Sequence, residues 1–142
     1  MKVVLIDGQG GRLGQMIAEA IIKNHIRCDL LAVGTNSIAT GAMLKGGAAR
    51  GATGENPVIV ACRDADVIIG PIGILAADSL CGEITPAMAV AVGQSRATKL
   101  LLPVSHCSNQ VVGVKPLTLS EMAGETVAEL KKLTEKGENG ER

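Results

Sequence analysis

A chain of 142 residues is the length of one domain, enough to bury roughly two-thirds of its unfolded surface. Its 14 Lys and Arg balance its 14 Asp and Glu, so neither a basic face for nucleic acid nor an acidic solvating block is present. Phe, Trp and Tyr are absent altogether, which excludes stacking of bases on an aromatic platform and leaves only aliphatic side chains to flank an adenine.

In chain order, Lys2 to Asp7 reads as a strand buried on both faces, an unbroken VVLI run ending in an acid. GQGGRLG follows. Leu13, Met16, Ile17, Ala20 and Ile21 then recur at helical spacing and predict an amphipathic helix over residues 12–25, with His25 in its last turn. Leu30 to Gly34 is a second strand, and the three elements make a right-handed β-α-β unit. Ser37 is the expected cap of a second helix that stops near Gly46-Gly47. GAARGATGEN reads as a loop. Asn56-Pro57 reads as a cap followed by proline at the first position of a short helix, residues 57–64. The VIV run inside it favours a strand, but three residues are too few for a parallel crossover to the next strand.

Asp66 to Gly70 is the third clear strand, followed by GPIG. Thr85-Pro86 caps a helix running to about Ser95, Lys99 to Val104 is a strand, and Val111 to Val114 is a short edge strand. Leu119, Met122, Ala123, Val127, Leu130 and Leu133 give a last amphipathic helix. Residues 137–142 are expected to be a polar, disordered tail after a single domain, residues 1–136. The alternation implies a Rossmann-like, doubly wound and mostly parallel sheet in three α/β/α layers. The apolar runs are too short for a membrane span and no secretory leader opens the chain, so a cytoplasmic protein is expected. Cys28, Cys62, Cys81 and Cys107 are far apart, without a CxxC pair, and read as free thiols rather than a zinc site.

Ligands of such sheets bind beyond the C-terminal strand ends, at the switch in strand order. That rule selects four loops. The first carries Gly8, Gln9, Gly10, Gly11, Arg12, Leu13 and Gly14, a G-x-x-G-x-x-G between the first strand and the first helix. Glycine there permits a sharp turn, a close approach of backbone to phosphate and tight packing of helix on strand. The helix N-terminus adds free N–H groups and the positive end of its dipole. A tight turn without ligand is the plain alternative. GK[ST] is missing, so the loop is no P-loop.

The second loop, Gly34-Thr35-Asn36-Ser37, lacks the acid that binds ribose hydroxyls in NAD sites. Its polar groups and Arg12 suit a phosphate instead, so NADP is expected over NAD, with a nucleotide lacking a second ribose as a further possibility. The third, Gly70-Pro71-Ile72-Gly73, is rigid and small enough to pass beside a ligand. In the fourth, His106 and Cys107 offer a proton donor and a thiolate, but neighbours on an extended chain point apart. Glu55, in the loop rich in glycine, is a candidate acid or base, and Asp7 reads as a brace for backbone amides.

GQGGRLG resembles the nucleotide loop of dihydrodipicolinate reductases over some ten residues, which implies NAD(P) contact at Gly8, Gly11, Arg12 and Gly14. The substrate domain of those reductases has no counterpart here. More of the chain, through IDGQGG, AVGTNSIATGAMLKGGA, GATGEN, DVIIGPIGI and GEITPAMA, resembles a small bacterial family known as domain of unknown function 3842. That resemblance implies a fold and no activity. Arg12 stands where a third consecutive glycine is usual in that family.

No convincing acid–base pair emerges, so the expected function is a nucleotide-binding or sensor module. The alternatives are a small NAD(P)-dependent oxidoreductase completed by oligomerisation, and a structural domain without ligand. The helix at residues 86–95 is apolar almost all round, so a homodimer is expected to cover its outer face.

Overall fold

The computed structural model describes residues 1–104 and 109–140. Five strands, all parallel, lie in the order β3-β2-β1-β4-β5. They are β1 (Lys2–Asp7), β2 (Asp29–Gly34), β3 (Arg50–Thr53), β4 (Val67–Pro71) and β5 (Thr98–Leu102). The helices are α1 (Arg12–Lys23), α2 (Ser37–Lys45), α3 (Glu55–Cys62), α4 (Pro86–Gln94) and α5 (Leu119–Glu138), with a 3-10 turn at Ile72–Leu75. The strand order runs outward from β1 through β2 and β3, then restarts at β4 on the other side. That doubly wound, Rossmann-like arrangement is the one the alternating apolar strands and amphipathic helices predict.

The sheet separates two cores. On one face Val3 and Leu5 meet Ile17 and Ile21 of α1, Met43 of α2 and Leu130 of α5. On the other, Val4, Ile6 and Ile68 meet Val58 of α3 and Met88 and Val92 of α4. Successive residues of β1 thus feed opposite cores, which is why its run is apolar without interruption. Each fully buried aliphatic chain contributes roughly 1.5–3 kcal/mol.

Several elements differ from expectation. The segment read as a loop contains β3, paired with β2 from Leu31↔Arg50 to Gly34↔Thr53. RGAT lacks apolar alternation because α2 lies directly over it. A Cβ on Gly51 would meet Thr40 Cγ2 at 2.9 Å, and Thr40 Oγ1 bonds Thr53 Oγ1 at 2.7 Å. The cap of α2 is Asn36, whose side chain accepts from Ala39 N; Ser37 is the first helical residue. The cap of α3 is Gly54, so that helix starts two residues early. No strand forms at Val111–Val114: Val112 is 96% exposed, and among the described residues no strand lies beside it to pair with. α1 ends at Lys23, leaving His25 just past the helix in a left-handed conformation. α5 continues through Glu138, into the stretch expected as tail. Among the described residues no helix is long and apolar enough to cross a membrane. Cys28, Cys62 and Cys81 are free thiols, and Cys81 is exposed rather than core.

Candidate nucleotide site at the switch in strand order

The turn after β1 is built on Asp7. This carboxylate is 6% exposed; Oδ1 accepts from Gly8 N at 2.8 Å and Oδ2 from Gly14 N at 2.7 Å. One side chain therefore ties both ends of the turn. Burial pushes its carboxyl above the ordinary value, the amides of Gly14 and Gly8 pull it back, and Glu83 adds a smaller push upward. Gly11 caps α1 with φ 71°. A Cβ at Gly11 would lie 2.6 Å from Ala39 Cα, so glycine is required both by the left-handed backbone and by the approach of α2.

The hydrogen bonds of the turn leave a remainder. Gly11 N donates to Gly8 O, and Gln9 N to Glu83 Oε1. The amides of Gly10, Arg12 and Leu13 make no hydrogen bond among the described residues. All three residues line a cavity of about 250 Å³, walled on its other sides by Pro71, Leu80, Val104 and Leu119. Its only titratable side chains among the described residues are Arg12 and the fully engaged Asp7. A larger hollow of about 770 Å³ opens at the opposite end of the sheet, around Met1, Asp66, Arg96 and Thr98. The smaller cavity is the better candidate, because it lies at the C-terminal strand ends where the order reverses and because the three residues with unengaged amides line it.

Behind the turn stands a residue that the sequence did not mark. Residues 76–85 form a strap that crosses from β4 over the turn toward β2. Asp78, Leu80 and Cys81 have φ of 66°, 54° and 55°, each a costly conformation for a side-chain-bearing residue. Glu83 at the end of the strap accepts through Oε1 from Thr35 Oγ1 (2.6 Å), Asn36 Nδ2 (2.6 Å) and Gln9 N (3.0 Å). Partial burial raises its pKa, but the three bonds outweigh that and hold the carboxyl below its ordinary value. Asn36 Nδ2 also reaches Gln9 O at 3.0 Å.

The expected site residues therefore divide. Gly8, Gln9, Gly10, Gly11, Arg12, Leu13 and Pro71 line the cavity. Gly14, Thr35 and Asn36 brace the turn from behind. Gly34 and Gly70 end or nearly end strands, Ser37 begins α2, and Ile72 and Gly73 lie in the 3-10 turn; none of these five lines the cavity. Glu55 is exposed at the start of α3, and its side chain makes no hydrogen bond among the described residues. His106 and Cys107 lie outside the described residues. Glu83 carries no signal of its own in the sequence, because a lone acid in DSLCGEI looks like any solvated loop residue. Its only signal was negative: donors at Thr35 and Asn36 without an acid beside them. Among the described residues no group of three or more His, Cys, Asp or Glu is placed to hold a metal ion.

A family model described as Domain of unknown function (DUF3842) matches residues 2–135, and the chain belongs to that family. No curated protein and no solved structure matches it.

Proposed function

We propose that this member of the DUF3842 family is a nucleotide-binding or sensor module whose Gly8–Gly14 turn holds a phosphate of the ligand. The observation that carries the proposal is the set of three unengaged amides, Gly10, Arg12 and Leu13, lining a cavity at the N-terminus of α1 and the switch in strand order. Arg12, exposed on the first helical turn, supplies the cation. The likeness of GQGGRLG to the loop of dihydrodipicolinate reductases points the same way. A binding role is favoured over chemistry because the cavity holds no free acid or base among the described residues.

NADP, the cofactor expected from the sequence, rested on Arg12 and on free donors after β2. Arg12 remains available, whereas Thr35 and Asn36 are engaged with Glu83. The turn is therefore proposed to hold a phosphate, with Glu83 rather than Thr35 and Asn36 free to meet the ribose. The protein is further proposed to act as a homodimer through the outer face of α4.

Gly10→Asp tests the phosphate reading. A Cβ at Gly10 meets nothing within 4 Å, so the fold should tolerate the change while a carboxylate enters the cavity. NAD and NADP titrated by calorimetry should each bind about tenfold or more weakly, the worth of a charged hydrogen bond or two, at an unchanged melting temperature. Gly11→Asp is the poorer test, since its Cβ strikes the backbone of α2. With no Trp, Tyr or Phe, the chain is nearly transparent in the near ultraviolet, and co-purified nucleotide registers directly. Parent protein that carries no nucleotide and binds none would sink the proposal.

A further inference from the structure

Resting on the nucleotide reading, we infer that Glu83 is the specificity-determining residue of this site: it accepts the ribose hydroxyls of the ligand and rejects a 2′-phosphate. In sheets of this order, the residue beyond the C-terminal end of the second strand decides between a ribose hydroxyl, met by an acid, and a 2′-phosphate, met by a cation. Gly34-Thr35-Asn36 brings neither charge of its own to that place. The strap brings one from far along the chain. Glu83 Oε1 lies 2.6 Å from both Thr35 Oγ1 and Asn36 Nδ2, so a carboxylate occupies the position beside β2, and the two donors that would have met a 2′-phosphate are spent on it.

The second oxygen is available. Glu83 Oε2 makes no hydrogen bond among the described residues, and the side chain is only part-buried, so a hydroxyl arriving from solvent can donate to it. A phosphate in the same place would set like charges against each other, and among the described residues no cation pairs with Glu83 to offset them. Arg12 lines the cavity and makes no hydrogen bond with Glu83, Thr35 or Asn36. Because Glu83 also accepts from Gln9 N, the ribose position and the phosphate turn are held in one rigid relation. The ligand class is therefore a nucleotide with free ribose hydroxyls, of the NAD rather than the NADP type.

The test is the ratio of affinities, which a merely structural role for Glu83 would leave unmoved. NAD and NADP are titrated into the parent and into Glu83→Gln, which keeps the side chain's size and an accepting oxygen for the strap's contacts but removes the charge. The parent should prefer NAD by about tenfold or more, and the variant should lose most of that preference, chiefly by gaining NADP. Should the variant fold poorly, 2′-deoxy-NAD on the parent decides the same point, and its affinity should fall by about tenfold relative to NAD. A parent that prefers NADP, or a ratio unchanged in the variant and by 2′-deoxy-NAD, overturns the role of Glu83 and leaves the phosphate site standing if Gly10→Asp still weakens both cofactors. Binding of neither cofactor overturns both readings together.

Discussion

Two carboxylates do opposite jobs around the same turn. Asp7 is sunk beneath it, engaged on both oxygens by backbone amides, with only 6% of its surface exposed. Glu83 lies above it on a strap of unfavourable backbone, reached by two side-chain donors and one amide. Their protonation follows from those settings. Asp7 sits above its ordinary value because burial wins, and Glu83 below its own because the bonds win. The sign for Glu83 sets a pH dependence. A carboxyl whose folded value lies below its unfolded one contributes stability fully present above the ordinary 4.5 and lost as pH falls through the folded value. Removing the charge with Glu83→Gln should therefore cost a constant amount above pH 4.5, roughly 1 kcal/mol or less given partial exposure, and progressively less below it. Melting curves of parent and variant, followed by circular dichroism across that range, check the sign. A gap that widens in acid would contradict it.

At the scale of elements, what was legible in the sequence follows how each one is stabilised. β1, α1, β4 and α4 carry their own signals, an apolar run or an amphipathic period with a cap, and their positions agree with expectation to within a residue or two. The glycine turn was legible for the same reason, because strand, turn and helix are contiguous. β3 was not, since what makes RGAT a strand is its pairing with β2 and the helix packed over it, contacts that its own four residues do not signal. The reverse error at Val111–Val114 has the same root: a β-branched run without a partner strand remains a turn. Glu83 belongs with β3, because its role exists only once the strap crosses the sheet. The junction of β2 and α2 offers a clean test. A Cβ on Gly34 would lie 2.5 Å from Thr40 N and 2.7 Å from Asn36 O, backbone atoms that cannot yield separately. Gly34→Ala should cost about 1–3 kcal/mol, the usual price of overpacking. Gly41→Ala, inside α2 with nothing within 4 Å, should instead stabilise by about 0.5–1 kcal/mol. Thermal melts of the two variants should move in opposite directions.

For the whole molecule, the open question is the outer face of α4. Its inner face is closed within the chain by Met88, Ala89 and Val92. α5 cannot close the other, because it packs with α1 across the sheet. Pro86, Ala87 and Val90 consequently remain exposed, Val90 at 52%, with Val60 of the adjoining α3 exposed at 45%. In the proposed dimer, a two-fold axis beside α4 would set this uncharged stripe against its own copy without opposing charges. Ala89, by contrast, is 9% exposed and lies in the chain's own core, so a charge there attacks the fold and says nothing of association. Val90 is the informative position. Light scattering of the parent at micromolar concentration should give twice 14.5 kDa, and Val90→Glu should return it to 14.5 kDa with helical content and melting curve preserved. A parent that scatters as 14.5 kDa would leave α4 as a tolerated apolar surface, of the modest size that monomers commonly carry. A dimer that survives Val90→Glu would move the interface elsewhere, first to β3, the edge strand beside Ile38 of α2, which is 71% exposed.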